Sequence, residues 1–143
     1  MSGTGLAVLV VVLVLTAAVG LLLRARTGRV RGPGRARGDG TGWELAGVAP
    51  AGRRALLLQL SSPVCAPCRQ TARVLADLAD GDPGLAHVEI DVAERVDVAR
   101  ALGVLRTPTT VVFDARGAEL LRVSGVPRAE ELAAALPAER PRM

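Results

Sequence analysis

The sequence is almost free of aromatic side chains and contains no lysine. Trp43 and Phe113 are its only Trp, Tyr or Phe residues, and all 18 of its basic side chains are arginine. Half of the 143 residues are nonetheless hydrophobic, so a folded core must be built mainly from aliphatic side chains. A chain of this length suffices for one domain with some residues left over.

Negative charge is scarce only in the first part of the chain. Residues 1–42 carry six arginines against Asp39, whereas residues 43–143 carry twelve arginines against thirteen carboxylates. The net charge of +4 therefore resides near the N-terminus. The rest is close to neutral and lacks the basic helix face and interleaved aromatic residues that bind nucleic acid. We predict no nucleic-acid partner.

Charge of either sign is missing from a long apolar run, residues 6–23. At about 1.5 Å per residue, a helix of this length approaches the ~30 Å hydrocarbon core of a bilayer. A cleaved signal peptide is the alternative, but it would have positive charge before the run and small residues at a cleavage site after it. Here no arginine precedes the run, and Arg-Ala-Arg follows it. We predict an uncleaved transmembrane anchor over residues 1–23.

The residues that follow the apolar run are rich in arginine and glycine. Residues 24–42 lack hydrophobic periodicity and are predicted to be a flexible linker. The positive-inside rule keeps such a basic flank in the cytoplasm. We therefore expect a single-pass protein of the cell membrane with its domain in the cytoplasm. The alternative is a domain on the outer side of the membrane. The basic residues of this flank are Arg24, Arg26, Arg29, Arg31, Arg35 and Arg37.

Hydrophobic patterns predict an α/β domain over residues 43–137, followed by a tail over residues 138–143. Strands are expected at residues 55–60, 85–91, 109–113 and 119–124. Helices are expected from the cysteine pair to about residue 80, over about 93–102 and over 127–136. Alternating strands and helices predict a parallel core, and the last two strands are expected to form a hairpin that adds an antiparallel edge.

The only cysteines are Cys65 and Cys68, which are separated by Ala66 and Pro67. A structural zinc site needs four ligands, and the only histidine is His87, so we predict no metal. A staple between residues three apart closes a very small loop and constrains the unfolded chain little. Redox chemistry explains the spacing better. A cysteine between a buried strand and a helix lies at the helix N-terminus, which stabilises a thiolate, and a second cysteine one turn later can displace a mixed disulfide.

Two motifs resemble those of the thioredoxin family. Cys65-Ala66-Pro67-Cys68-Arg69 is similar to the family's Cys-Gly-Pro-Cys-Lys/Arg loop, and Thr107-Pro108-Thr109 is similar to its cis-proline loop. The resemblance covers about two-thirds of the chain and implies a thioredoxin-like fold, a mixed central sheet with flanking helices. It also implies that Pro108 is cis and faces the cysteines, and that Thr107 offers its backbone to the substrate. The other residues that it places along the substrate site are Val64, Pro67 and Gly125.

The chain departs from the family pattern at three positions near this loop. Val64 stands where the family usually has Trp, Gln59 where it often has a buried Asp, and His87 where it often has a Lys. Gln59 cannot accept the proton of Cys68 as a carboxylate would. His87 is therefore a candidate for proton transfer, with an ordinary strand role as the alternative. The family's first strand and helix are expected to be reduced to a short stretch around Trp43, a packing residue.

The resulting hypothesis is a membrane-tethered thiol–disulfide oxidoreductase that acts on protein disulfides. Cys65 attacks, Cys68 resolves, and no cofactor is expected beyond this dithiol. The protein is expected to be a monomer that receives electrons from an unidentified donor. Two alternatives remain: an extracytoplasmic relative that serves disulfide exchange or cytochrome maturation, and a redox-inactive tethered binding module.

Overall fold

One interior strand of the sheet is a nearly continuous apolar segment. Strand β2 spans Ala55–Ser61, and all seven of its residues are buried. Strands buried on both faces have this composition because helices cover each side of the sheet. β2 pairs in parallel with β3 and antiparallel with β4. It therefore joins the parallel part of the sheet to the antiparallel part.

The computed structural model describes residues 3–33 and 41–138. The sheet has the order β1-β5-β4-β2-β3, and the prediction of a mixed sheet with flanking helices is confirmed. Strands at 85–91 and 119–124 have the predicted bounds. In chain order the elements are α1 (Gly3–Arg26), β1 (Val30–Arg31), α2 (Gly42–Ala46), β2 (Ala55–Ser61), α3 (Ala66–Asp80), β3 (Leu85–Asp91), α4 (Val96–Ala101), β4 (Thr109–Asp114), β5 (Glu119–Ser124) and α5 (Ala129–Ala135).

Two aliphatic cores lie on opposite faces of the sheet. Because successive strand residues point to opposite faces, Leu56 and Leu58 pack with α2 and α4, whereas Leu57 packs with α3 and α5. Trp43 belongs to the first core, is 3% exposed, and donates its indole N–H to the Asp114 carbonyl at 2.8 Å. Its expected packing role is confirmed.

Helix α1 is long and apolar enough to cross a membrane. It has 24 residues, none of which is buried against the described remainder of the chain. A helix that is apolar on all sides has no polar face to turn towards water. Length and composition alone do not distinguish a membrane span from a signal sequence in such an N-terminal helix.

The flexible linker predicted over residues 24–42 is wrong for much of its length. α1 continues through Arg26, and Val30–Arg31 forms β1, which pairs antiparallel with β5. At the other end, Thr41 caps α2 in a capping box with Glu44. The middle of the predicted linker, residues 34–40, lies outside the described residues, as do residues 139–143 of the predicted tail.

Two helices are shorter than predicted. α4 begins at Val96 rather than near residue 93, because Asp91 accepts hydrogen bonds from the backbone N–H groups of Ala93, Glu94 and Arg95 and so forms a turn first. α5 spans Ala129–Ala135 rather than residues 127–136.

Candidate active site

The two cysteines lie just after strand β2, at the start of helix α3. Cys65 is the N-cap residue of α3, as predicted, and Cys68 lies in the first turn. The two residues form a disulfide, with their Cα atoms 5.2 Å apart. The backbone N–H of Cys68 donates to Sγ of Cys65 at 3.1 Å. A hydrogen bond of this kind, at the positive end of a helix dipole, stabilises a thiolate at Cys65.

The two sulfur-bearing residues differ in access to solvent. Cys65 is half-buried, whereas Cys68 is only 2% exposed. Pro67, between them, is exposed. Cys65 is therefore the cysteine that solvent reaches more readily, and Cys68 lies beneath it.

A loop before β4 faces the cysteine loop. The Thr107–Pro108 peptide bond is cis, and the hydroxyl groups of Ser62 and Thr107 lie 3.2 Å apart, which joins the two loops. The Pro108 carbonyl accepts a hydrogen bond from the N–H of Gly125 at 2.8 Å. Among the described residues, the backbone N–H and C=O of Thr107 have no hydrogen-bond partner. They are available to an extended substrate chain, which binds through such groups.

A groove of about 470 Å³ runs beside this loop. Four of the five residues expected at the substrate site line it: Pro67, Thr107, Pro108 and Gly125. The fifth, Val64, does not line the groove; its side chain projects into solvent and is 98% exposed. Gly125 has a φ of +87°, and a Cβ at this position would come within 2.3 Å of the Thr27 methyl carbon. The close approach requires glycine there.

A second depression, of about 370 Å³, lies on the β3 side of the dithiol. Cys65 and Cys68 both line this depression, whereas the groove reaches the cysteine loop at Pro67. The charged residues of the depression are Arg69, Glu89, Asp91 and Glu94. The cysteines therefore have a predominantly acidic surface on one side.

Gln59 lies at the centre of a buried polar network behind the dithiol. The residue is fully buried. Its amide nitrogen lies within hydrogen-bond distance of Ser61 Oγ (2.8 Å), the Cys68 carbonyl (2.9 Å) and Glu89 Oε1 (3.2 Å). Its amide oxygen lies 3.1 Å from His87 Nε2. Gln59 therefore links the backbone of Cys68 to two side chains of β3.

His87 is brought to this network but contacts Gln59 rather than a cysteine. Burial lowers the pKa of His87 below its ordinary value, and the nearby Glu89 carboxylate opposes this shift by raising it. The lowered pKa favours a neutral imidazole at neutral pH, because burial disfavours the charged form.

Glu89 was missed in the sequence interpretation. It pairs in register with Gln59 and lines the same depression as both cysteines. It brings a carboxylate on the neighbouring strand within 3.2 Å of the Gln59 amide nitrogen. Strand alternation could have revealed it, because Glu89 is two residues after His87 and so lies on the same face.

No group of three or more His, Cys, Asp or Glu side chains within residues 3–33 and 41–138 is arranged to hold a metal ion.

The comparisons with known proteins agree with this geometry. A family model described as a thioredoxin-like domain matches residues 43–139. The chain belongs to the thioredoxin-like family. The matched segment includes both cysteines and the cis-proline loop.

Curated relatives match only part of their own length. The chain is 36% identical over 80 residues to the NADPH-dependent thioredoxin reductase 3 of Arabidopsis thaliana, covering 54% of this chain and 15% of that protein. It is 33% identical over 75 residues to the putative thioredoxin H10 of the same plant, covering 52% and 48%. The chain thus spans half or less of these two proteins.

Solved structures of thioredoxins match the fold. A thioredoxin from Nicotiana alata superposes with a TM-score of 0.54 at 27% identity, covering 64% of this chain and 79% of that one. A mutant thioredoxin from Halobacterium salinarum has the same TM-score of 0.54 at 28% identity, covering 59% and 73%.

Proposed function

We propose that this chain is a membrane-tethered thiol–disulfide oxidoreductase that reduces or exchanges protein disulfides through Cys65 and Cys68. The observation that carries the proposal is the placement of a solvent-accessible Cys65 at a helix N-cap with a buried Cys68 behind it. The adjacent groove and the unpaired backbone of Thr107, judged among the described residues, support a protein chain as the substrate.

The reaction starts from the reduced dithiol. The Cys65 thiolate attacks one sulfur of a substrate disulfide, a mixed disulfide forms, and the other substrate sulfur leaves as a thiolate that takes up a proton. Cys68 then loses its proton and attacks Cys65 Sγ. The second substrate sulfur leaves, and the protein holds the Cys65–Cys68 disulfide. Two electrons have passed to the substrate, so a donor protein must reduce the disulfide before the next cycle.

The proton of Cys68 needs an acceptor on the β3 side. Glu89 lines the depression that contains Cys68, and its carboxylate can take a proton from water held there. His87 is the second candidate: its Nε2 contacts Gln59, whose amide contacts the backbone carbonyl of Cys68, and a bridging water would have to carry the thiol proton to the ring. No cofactor is needed for either route beyond the dithiol itself.

The proposed location rests on α1 and its basic flank. An apolar helix of 24 residues followed by arginines supports a single-pass anchor in the cell membrane with the domain in the cytoplasm. C-terminal fusions to a fluorescent protein that matures only inside the cell, and to a phosphatase active only outside it, test the side. Strong phosphatase activity would show that the domain lies outside the cell, and we would then expect its substrates to be exported proteins.

Insulin reduction by the full chain in lipid nanodiscs tests the activity. The native dithiol should reduce insulin, and Cys65→Ser should abolish the reaction because the attacking sulfur is gone. Cys68→Ser should instead accumulate mixed disulfides with substrates. Equal trapping by Cys65→Ser and Cys68→Ser would contradict the assigned roles, and an inactive native chain would favour a binding module.

A further inference from the structure

The segment that joins α1 to the domain lies directly against the cis-proline loop. The Gly28 N–H donates to the Ser124 carbonyl at 2.7 Å, and Val30 pairs with Val123 in the sheet. Gly28 has a φ of +79°, and a Cβ there would come within 2.3 Å of the Val126 carbonyl oxygen. The segment is therefore packed tightly beside the strand end that contacts Pro108.

This contact places the end of α1 in the wall of the substrate groove. Arg24 and Thr27 line the groove together with Arg106 and Pro108. Arg24 belongs to α1, and Arg106 precedes the cis Thr107–Pro108 bond. The groove beside the dithiol is thus formed partly by the domain and partly by the junction with the N-terminal helix.

The two arginines of the groove have no partner of opposite charge in the described part of the chain. The ion pairs within that part involve Arg54, Arg95, Arg122 and Arg128, and neither Arg24 nor Arg106 forms one. The described residues that line the groove include no carboxylate. The depression that both cysteines line carries three carboxylates and one arginine. The two surfaces next to the cysteine loop therefore differ in the sign of their charge.

We propose that the α1–β1 junction is part of the substrate site and that Arg24 and Arg106 select an acidic segment beside the substrate disulfide. The inference rests on the proposed function and names its substrate class. A chain that enters the groove with acidic residues satisfies both guanidinium groups, whereas a basic chain is repelled. Solvent-exposed ion pairs are individually weak, and two of them predict a preference of about 3- to 10-fold. Salt must reduce this preference, because exposed charges are screened.

The test uses the reduced full chain in phosphatidylcholine nanodiscs and three peptides that differ only in flanking charge. Each peptide carries one cysteine linked to thionitrobenzoate, flanked by two Glu, two Gln or two Lys. When the Cys65 thiolate attacks the peptide sulfur, thionitrobenzoate leaves as a coloured thiolate. The second-order rate constant should be about 3- to 10-fold higher for the Glu peptide than for the Gln peptide, and lowest for the Lys peptide.

Variants identify the residues responsible. Arg24→Gln and Arg106→Gln should each reduce the ratio of the Glu-peptide rate constant to the Gln-peptide rate constant. Arg116→Gln is the matched control: it removes the same charge from an exposed position in the β4–β5 turn, at the end of β4 opposite Pro108, and should keep the preference. Equal reduction by all three variants would mean that net charge alone acts, which overturns the proposal.

The remaining outcomes separate the two proposals. A Gln peptide that reacts readily without any preference for the Glu peptide overturns the inference and leaves the proposed function intact. No reaction with any peptide, together with no insulin reduction, overturns both. Loss of the preference when phosphatidylserine replaces a third of the lipid would show that headgroups occupy the arginines, and it overturns the assignment of an acidic chain. A preference for the Glu peptide that persists in these nanodiscs supports the assignment.

Discussion

Replacement of Gln59 by leucine would test whether the buried amide holds the active-site helix to the sheet. Gln59 is fully buried on β2, and its amide nitrogen contacts Ser61 and the Cys68 carbonyl, both in buried residues. Leucine has a similar volume and no polar atom. The substitution therefore leaves these two groups without their amide partner and changes the packing little.

The size of the effect follows from those two partners. Leaving a buried polar group without a partner costs about 1–3 kcal/mol, and the gain from burying an apolar side chain offsets part of the sum. Glu89 is exposed and His87 half-buried, so both replace the lost contact with water at little cost. We expect Gln59→Leu to lower the free energy of unfolding by about 2 kcal/mol. For a domain of about 100 residues this lowers Tm by roughly 8–16 °C.

Thr110→Val provides a control of opposite sign. Thr110 lies directly opposite Gln59 on β4, is fully buried, and has a hydroxyl with no hydrogen-bond partner among the described residues. Removing that hydroxyl should stabilise the domain by about 1 kcal/mol, because no hydrogen bond is lost.

Circular dichroism during thermal and urea unfolding of the oxidised full chain in detergent micelles would give the Tm and the free energy of unfolding of both variants. Gln59→Leu with a Tm equal to or above that of the native chain would refute the reasoning. So would equal losses in Gln59→Leu and Thr110→Val, because packing rather than hydrogen bonding would then explain the result.

Three further outcomes are expected. The rate of alkylation of Cys65 in the reduced chain should show a midpoint below the free-thiol pKa of ~8.5, and a faster reaction of Cys68 would contradict the assigned order. Burial lowers the pKa of His87, so the free energy of unfolding should fall as pH decreases through about 6.5 towards the lower folded-state pKa, and His87→Gln should remove this slope in urea titrations. The hydrogen bond from Arg54 lowers the pKa of Asp82, so Asp82→Asn should cost about 0.5–1 kcal/mol at pH 7. This difference should shrink as pH falls below about 4 and through the lowered folded-state pKa, whereas a difference that persists in acid would assign the loss to packing.

The sheet was predictable because its strands carry local signals. β2 is apolar on both faces, and β3 and β5 lie between turn-forming residues, so length and composition separate them from helices. The parallel pairing of β2 with β3 and the antiparallel pairing of β4 with β5 follow from the connections, because helix α3 joins β2 to β3 and a short turn joins β4 to β5.

β1 could not be predicted from local sequence. Val30–Arg31 is too short for an alternating pattern and lies among arginines and glycines that are typical of a linker. Its partner residues, Val123 and Arg122, lie far along the chain, after every other strand has begun. Only the tertiary contact with the edge of β5 makes this segment a strand, because an isolated pair of residues gains no stability from extended structure.

Some residues of the candidate site could likewise be predicted from local sequence, whereas others could not. The two cysteines and the Thr107-Pro108 loop were found because each motif is contiguous, so the chemistry is visible in neighbouring residues. Arg24 was assigned to membrane orientation alone, because its distance from Arg106 along the sequence gives no indication that both line one groove.

Gln59 shows what a comparison of single positions misses. Judged as a replacement for a carboxylate, it has lost the ability to accept a proton from Cys68. In the fold it acts as a bridge: its nitrogen contacts the Cys68 carbonyl and Glu89, and its oxygen contacts His87. The acidic group is therefore still beside the dithiol, one strand away and exposed to solvent. Water can therefore reach a carboxylate beside the dithiol from the solvent side, whereas a side chain at position 59 is enclosed by the core.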